Sequence, residues 1–314
     1  MKFDASVLSN TERILFALRA LYMASGYEKY TMSRFEEYDL YSRNKDFLVS
    51  DNVITFTDTN GMLMALKPDV TLSIIRNSRD EADRLRKLCY DESVYRVSKK
   101  TGSFKEIMQT GLECIGRIDT ECLAEVISLA AESLGMLSNA YVLELSDMDI
   151  PLALLDDMTD SEDVRRRIIK CAGERNLHGI AEICAQENIP EERSLPLKRL
   201  LSVYGRADKV LPELEKLCAG DKLRSRLERM KMIICGLKDP GVRSRTEIDF
   251  SLIGDVSYYN GIVFRGFIDG IPDRVLSGGQ YDRLMEKMGR RSNAVGFAVY
   301  LDELERIALP DELL

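Results

Sequence analysis

The stretch Ile107-Met108-Gln109-Thr110-Gly111-Leu112-Glu113-Cys114-Ile115 decides how the rest of the chain is read. Extended, it puts Gln109, Gly111 and Glu113 on one face and Met108, Thr110, Leu112 and Cys114 on the other. A polar face with glycine at its centre leaves room for something to lie on the sheet. The alternative is a solvated sheet face, which more often carries Thr or Lys than a glycine gap. Both remain open on these nine residues alone.

Around this stretch, strands are expected at 88–96, 106–116 and 141–146. Between the last two lies a helix whose buried face is Leu123, Val126, Ile127, Ala130 and Leu134. Upstream, Val53–Thr57 and Met62–Leu66 flank Asp58-Thr59-Asn60-Gly61, a hairpin signal in which Asn-Gly supplies the positive-φ turn. Ser9 and Glu12 fit a capping box ahead of Ile14, Leu15, Leu18, Leu21 and Tyr22 at helical spacing, with Gly26 as the stop. From about 149 to 240 strand-like alternation gives way to helical patterns rich in Arg, Glu and Leu, punctuated by Pro190 and Pro196 and closed by Asp239-Pro240-Gly241. Strands resume at 246–253 and 258–268, followed by a glycine turn at Ser277-Gly278-Gly279 and a helix over about 299–308. The expected architecture is α+β: an antiparallel sheet flanked by helices over 1–148 and 242–314, interrupted by a helical insertion domain over 149–241.

Bulk composition narrows the function classes. The 314 residues include one histidine, His178, and seven cysteines that are never spaced C-x-x-C. A histidine-rich metal site is impossible, and Ser-His or Cys-His catalysis would have to run through His178, which sits in the polar helical stretch GERNLHGIAE. The scattered cysteines read as reduced thiols in a core. A net charge of −8 disfavours broad nonspecific nucleic-acid binding. With no run of 18 apolar residues and no apolar leader in MKFDASVLSNTER, no membrane role is expected and the expected compartment is the cytoplasm.

Three further patterns carry chemistry. In Leu66-Lys67-Pro68-Asp69-Val70-Thr71, Asp69 and Thr71 point the same way on an extended backbone and can receive an ammonium group; a turn with a helix N-cap explains them equally well. Tyr258 and Tyr259 precede Asn260-Gly261 at the start of a strand, as ligand contacts or as core. Ser277-Gly278-Gly279-Gln280-Tyr281-Asp282 allows close backbone approach to a ligand, but is no dinucleotide fingerprint, and no phosphate-binding G-x-x-x-x-G-K-[ST] loop occurs.

Taken in order, these segments resemble the catalytic domain of histidyl-tRNA synthetase, a class II aminoacyl-tRNA synthetase, over roughly 1–148 and 242–314. LKPDVTLSIIRN is similar to that family's L-R-P-E-x-T segment, and VYR followed by FKEIMQTGLECIG to class II motif 2. SYYNGIVF and SGGQYDRL resemble the histidine-specific tyrosine segment and its glycine-rich turn, and GFAVYLDEL resembles motif 3. The helical block falls where that family carries its insertion. The resemblance implies a pocket for free L-histidine. Asp69, Thr71 and Gln109 would hold the α-amino group and Arg96 the carboxylate. Glu113 and Tyr259 would grip the imidazole nitrogens, with Tyr258 and Tyr281 completing the wall.

Departures from the family pattern bear on activity. Ser98 stands where a glutamate holds adenine, Ile107 where a phenylalanine stacks on it, and Glu303 where the motif 3 arginine grips ATP phosphate. Gly254 stands at the arginine that neutralises the reacting phosphate. Losing two cations where a polyphosphate must sit removes the electrostatic stabilisation that adenylate formation requires, and Glu303 repels the nucleotide. The chain also stops about ten residues after motif 3, so no anticodon-binding domain and no tRNA partner are expected. A histidine side kept without the ATP and tRNA sides resembles the regulatory subunits of ATP phosphoribosyltransferase, synthetase paralogues of histidine biosynthesis. That resemblance implies no catalytic residue, no cofactor and no metal. It also implies a short-form catalytic subunit as partner, and histidine feedback sensed through the complex. Self-association as a dimer is expected through the synthetase-like part, although Ser33 stands near the point where motif 1 ends its strand with proline. The rival expectations are a divergent histidyl-tRNA synthetase and a stand-alone histidine-sensing module.

Overall fold

The computed structural model describes residues 7–48, 52–80, 84–97, 102–218, 220–255 and 258–304. The chain opens with α1 (Asn10–Ala24), β1 (Glu28–Lys29), β2 (Phe35–Glu37), α2 (Tyr38–Ser42), β3 (Thr55–Thr57) and β4 (Leu63–Leu66). Helix α3 (Val70–Asn77), the long strands β5 (Arg86–Val97) and β6 (Phe104–Gly116), α4 (Thr120–Leu137) and β7 (Tyr141–Asp147) follow. The helical block comprises α5 (Asp149–Asp156), α6 (Glu162–Gly173), α7 (Leu177–Gln186), α8 (Glu191–Ser202), a short β8 (Tyr204–Arg206), α9 (Ala207–Leu217) and α10 (Asp221–Gly236). The chain returns through α11 (Pro240–Ser244), β9 (Thr246–Asp249), β10 (Asn260–Ile268), β11 (Leu276–Gln280), α12 (Asp282–Lys287) and β12 (Asn293–Tyr300).

Nine strands form one sheet in the order β1-β5-β6-β12-β11-β10-β7-β9-β8, antiparallel except for the β1–β5 and β7–β9 pairs. A small antiparallel sheet, β2-β4-β3, stands apart. It contains the expected hairpin, with Gly61 at φ 82° and the Asp58 carboxylate accepting from the Asn60 and Met62 amides. Helix α1 begins at the Ser9–Glu12 capping box, with both reciprocal bonds made. It packs beside α4 on one face of the large sheet. There Leu123, Val126, Ile127, Ala130 and Leu134 are fully buried with Leu112, Cys114, Leu143, Leu145 and Phe264. The same buried cluster runs on into the helical block through residues such as Leu200, Leu227 and Met230. A second cluster, containing Tyr41, Leu72, Ile75, Leu88 and Tyr281, lies on the opposite face.

Three sequence expectations are corrected. The strand expected at 246–253 ends at Asp249, and Phe250–Asp255 winds into a 3-10 helix. Ser277-Gly278-Gly279 is no turn but the middle of β11, buried between β10 and β12. A Cβ on Gly278 would stand 2.5 Å from Phe297 Cβ and 2.6 Å from the Phe264 ring, so the glycines admit neighbouring side chains rather than bend the chain. The helix expected over 299–308 is strand up to Tyr300, then a 3-10 turn at Asp302–Leu304; its remainder falls outside the described residues.

Candidate functional site

Strand register builds the floor of a cavity on the sheet face opposite α1 and α4. Tyr90 pairs with Gly111, Gly111 with Ala298, Ala298 with Ser277, and one step along, Glu113 pairs with Gly296 and Gly296 with Gly279. Small residues thus recur on adjacent strands at one level, and the sheet surface is sunken there. The cavity, about 330 Å³, is walled by Phe47, Asp69, Thr71, Arg96, Arg274 and the three tyrosines 258, 259 and 281. This volume suits a small metabolite. All eight residues proposed from sequence, Asp69, Thr71, Arg96, Gln109, Glu113, Tyr258, Tyr259 and Tyr281, line it.

Glu113 is the centre. It is 2% exposed, and its two oxygens accept from different donors: Thr71 Oγ1 at 2.7 Å and the Tyr281 hydroxyl at 2.5 Å. Burial pushes its pKa up to about 8 against the pull of those two bonds, and Asp69 adds to the rise. Asp69 is itself raised by burial, which outweighs the Leu72 amide and the Arg96 charge. Two desolvated carboxyls in one cavity favour a cationic occupant, whose ammonium returns both to their charged forms. The space for Glu113 exists because position 296 is glycine: a Cβ there would lie 1.8 Å from Glu113 Oε2.

The Asp69–Thr71 segment is extended only at Asp69. Asp69 is the N-cap of α3 and accepts from the Leu72 amide at 2.9 Å, while Thr71 lies within the first helical turn. Both still reach the cavity, because α3 starts at its rim. The junction is bolted in place by Lys67, fully buried and 2.8 Å from Glu92 on β5. The Arg96 guanidinium donates to the Pro68 carbonyl at 3.0 Å. Gln109 is 3% exposed and its Nε2 has no hydrogen-bond partner, a donor desolvated in the cavity wall.

Sequence patterns missed several lining residues. The gap at Gly111 is filled from within, since a Cβ there would meet the Phe297 carbonyl at 2.1 Å and the Tyr90 hydroxyl at 2.7 Å. Tyr90 and Arg274 line the cavity from outside every motif singled out in the sequence, and Ser277, Gly296, Ala298 and Tyr300 lie in the glycine-rich and motif 3-like segments without having been assigned to the pocket. Period-two placement on strands gives Tyr90, Ser277, Gly296, Ala298 and Tyr300 a shared face, whereas Arg274 lies ahead of β11.

Beside this cavity a second cleft of about 440 Å³ is lined by Lys105, Ile107, Arg265, Asp273, Arg274 and Asp302. Ile107 offers no aromatic ring there. Gly254 lies in the 3-10 helix against Gly173 of α6 and brings no cation. Ser98, and the side chain of Glu303, fall outside the described residues. Among the described residues no group of three His, Cys, Asp or Glu side chains is placed to hold a metal ion. None of their helices is long and apolar enough to cross a membrane. His178 projects from α7, 85% exposed and 3.2 Å from Glu182. None of the seven cysteines forms a disulfide.

Comparison with known proteins fits this geometry. The family model described as histidyl-tRNA synthetase matches residues 5–304. An ATP phosphoribosyltransferase regulatory subunit from Acetivibrio thermocellus is 28% identical over 289 residues, covering 90% of this chain and 68% of the relative. The crystal structure of an ATP phosphoribosyltransferase regulatory subunit/histidyl-tRNA synthetase from Bacillus halodurans superposes with a TM-score of 0.81 at 26% identity, covering 94% of this chain and 78% of that one. A chain of the ATP phosphoribosyl transferase (HisG:HisZ) complex from Thermotoga maritima shares the fold, with a TM-score of 0.72 at 19% identity, over 93% and 97% of the two chains.

Proposed function

The chain belongs to the histidyl-tRNA synthetase family, and from that premise we propose that it is a non-catalytic regulatory subunit of ATP phosphoribosyltransferase that binds free L-histidine. In this reading it serves the first step of histidine biosynthesis in the cytoplasm. It assembles with a short-form catalytic subunit, which carries the phosphoribosyl transfer, and conveys histidine feedback to it. The observation that carries the reading is Glu113, buried and held between Thr71 and Tyr281 in a cavity that also contains Asp69. A carboxyl so placed accepts an imidazole N–H, Asp69, Thr71 and Gln109 face an α-ammonium, and Arg96 faces a carboxylate. Each polar group of histidine then meets a complement when desolvated. A site built to pair a ring N–H rejects amino acids that lack one.

Support for a non-catalytic role comes from Ile107 and Gly254, which provide neither an adenine-stacking ring nor a phosphate-neutralising charge. We assign the histidine-binding part to 1–148 and 242–314 and the helical insertion to 149–241. Self-association is proposed through the synthetase-like part. Phe35 and Phe56 on the small sheet, packed edge to face at 5.7 Å and 48% and 39% exposed, offer an apolar face for it.

The test is calorimetry with L-histidine and glutamine, with histidine-dependent ATP–pyrophosphate exchange alongside. Histidine binds and glutamine does not, Glu113→Ala weakens binding about ten- to hundredfold, and exchange stays at background. Exchange above background would instead identify a divergent synthetase. Equal binding of glutamine, or unchanged binding in Glu113→Ala, would remove the pocket from the account. Co-purification with a short-form ATP phosphoribosyltransferase from the same organism separates a regulatory subunit from a stand-alone histidine sensor.

A further inference from the structure

Strand β10 carries a bulge where its pairing with β11 shifts between Asn260 and Val263. Gly261 adopts φ 62° there, and Ile262 drops out of the ladder with β11. That amide donates instead to the side-chain oxygen of Gln280 at 3.1 Å. The same oxygen accepts Arg229 from α10, in the helical block, at 2.6 Å. Gln280 is 5% exposed, so the shared acceptor sits out of water, where a charged donor weighs most. On its other side the bulge is held by the Met148 amide, which donates to the Gly261 carbonyl at 2.7 Å, next to Asp149, the ion-pair partner of Arg226 at 2.9 Å. Two arginines one turn apart on α10 therefore hold Gln280 and Asp149, the first bonded to the bulge and the second next to Met148, which is bonded to its other side.

The bulge sets the position of the cavity's aromatic wall. Tyr258 and Tyr259 directly precede it, with ring centroids 4.7 Å apart. Tyr259 rests on the backbone at Gly279, where a Cβ would lie 2.8 Å from its ring, and Tyr258 reaches Tyr281 at 6.3 Å between centroids. The residue after Gln280 is Tyr281, whose hydroxyl donates to Glu113.

We propose that Arg229 is a positioning residue of the pocket: through Gln280 it fixes the bulge that carries Tyr258 and Tyr259, so that the seating of α10 and the occupancy of the cavity form one linked equilibrium. The inference rests on the pocket taking histidine, and it names the element through which that occupancy reaches the helical block. Arg229 touches no ligand; it acts through Gln280. Linkage then requires histidine to tighten the seating of α10 by the same factor that this seating tightens histidine.

Amide hydrogen exchange on the full chain tests this with Arg229→Met, Arg229→Lys and, as control, Arg224→Met on the exposed side of α10. In ligand-free Arg229→Met, exchange over 259–263 speeds up about tenfold, as expected when a charge-assisted bond is lost. Arg229→Lys is intermediate and Arg224→Met matches wild type. Histidine slows exchange along α10 in wild type and does not in Arg229→Met, whose histidine affinity is about five- to tenfold weaker, the low end of typical site-to-site coupling. Unchanged exchange over 259–263 in Arg229→Met, or histidine protection of α10 that survives the substitution, overturns the proposal. If Arg229→Met fails to fold, Arg229→Lys provides the same comparison over 259–263. Should wild type not bind histidine, the proposed function falls, while the ligand-free exchange still decides the role of Arg229.

Discussion

At the scale of single residues, Glu113 trades stability for recognition. Its folded pKa, about 8, lies above the ordinary carboxyl value of 4.5, so the folded chain holds this proton more tightly than the unfolded chain does. The contribution is therefore fully present at acid pH and is lost as pH rises from about 4.5 to about 8. At 1.36 kcal/mol per unit, the loss is at most about 3–5 kcal/mol. Glu113→Gln keeps the shape and removes the titration. Subtracting its stability-versus-pH curve from that of wild type, by urea unfolding without ligand, should give a difference that grows in the variant's favour up to about pH 8. A flat difference would show that the carboxyl is not held protonated by burial. Binding should move the proton as well. An ammonium ligand that restores the Glu113 charge releases a proton near pH 7, so the apparent binding enthalpy should change with the ionisation heat of the buffer. A neighbouring prediction concerns space. Gly296→Ala places a methyl within 1.8 Å of Glu113 Oε2, and should abolish histidine binding on calorimetry while the far-UV spectrum remains that of a folded chain.

At the scale of elements, the junction of β4 and α3 is the most exacting. Lys67 has no contact with water, and its ammonium pairs with Glu92, with the Glu36 charge also favouring it. Lys67→Met should cost about 3–5 kcal/mol in unfolding, because it strands a mostly buried carboxylate. Lys67→Met combined with Glu92→Leu should recover much of that loss. Additive losses in the double variant would mean that the two side chains act separately. Asp69 and Thr71 sit just past this bolt, which explains what could be read from sequence and what could not. Period-two alternation sufficed to put Gln109 and Glu113 on one face, since side-chain direction along a strand is local. The capping box at Ser9–Glu12 was legible for the same reason. Residues 277–279 misled, because two glycines are equally natural in a turn and in a strand crowded by partners. The partners here are Phe264 of β10, Phe297 of β12 and Tyr259 just ahead of β10, and no local pattern states the register that brings them together. The floor made by Gly296 and Ala298 was hidden likewise, since Glu113 and Gly296 are far apart in sequence and meet only through the pairing of β6 with β12. The family resemblance supplied the grouping of the eight wall residues; Tyr90, Tyr300 and Arg274 had to come from the fold.

At the scale of the whole molecule, a regulatory role requires that occupancy of the cavity bias one state of an assembly over another, with a coupling of typically 1–3 kcal/mol. In the complex with a short-form catalytic subunit, Glu113→Ala should therefore leave activation intact and blunt inhibition by histidine. If inhibition persists in a variant shown directly not to bind histidine, the sensor lies on the partner. A different consequence follows from the continuous core, in which Leu200, Leu227 and Met230 of the helical block are buried in one cluster with Leu143, Phe264 and Val299 of the sheet. Neither part can melt without exposing the other's apolar surface, so heating should produce a single endotherm. A thiol deep in the block then reports on a ligand bound far from it. Cys218 is 1% exposed, and burial pushes its pKa up to about 11, so it reacts with alkylating reagents chiefly when the whole chain opens. On the proposed function, in which only the folded form binds histidine, the ligand should slow its labelling by the factor 1 + [L]/Kd. Cys89, buried in the sheet, should slow by the same factor, making either cysteine a clock for the occupancy of a pocket it never touches.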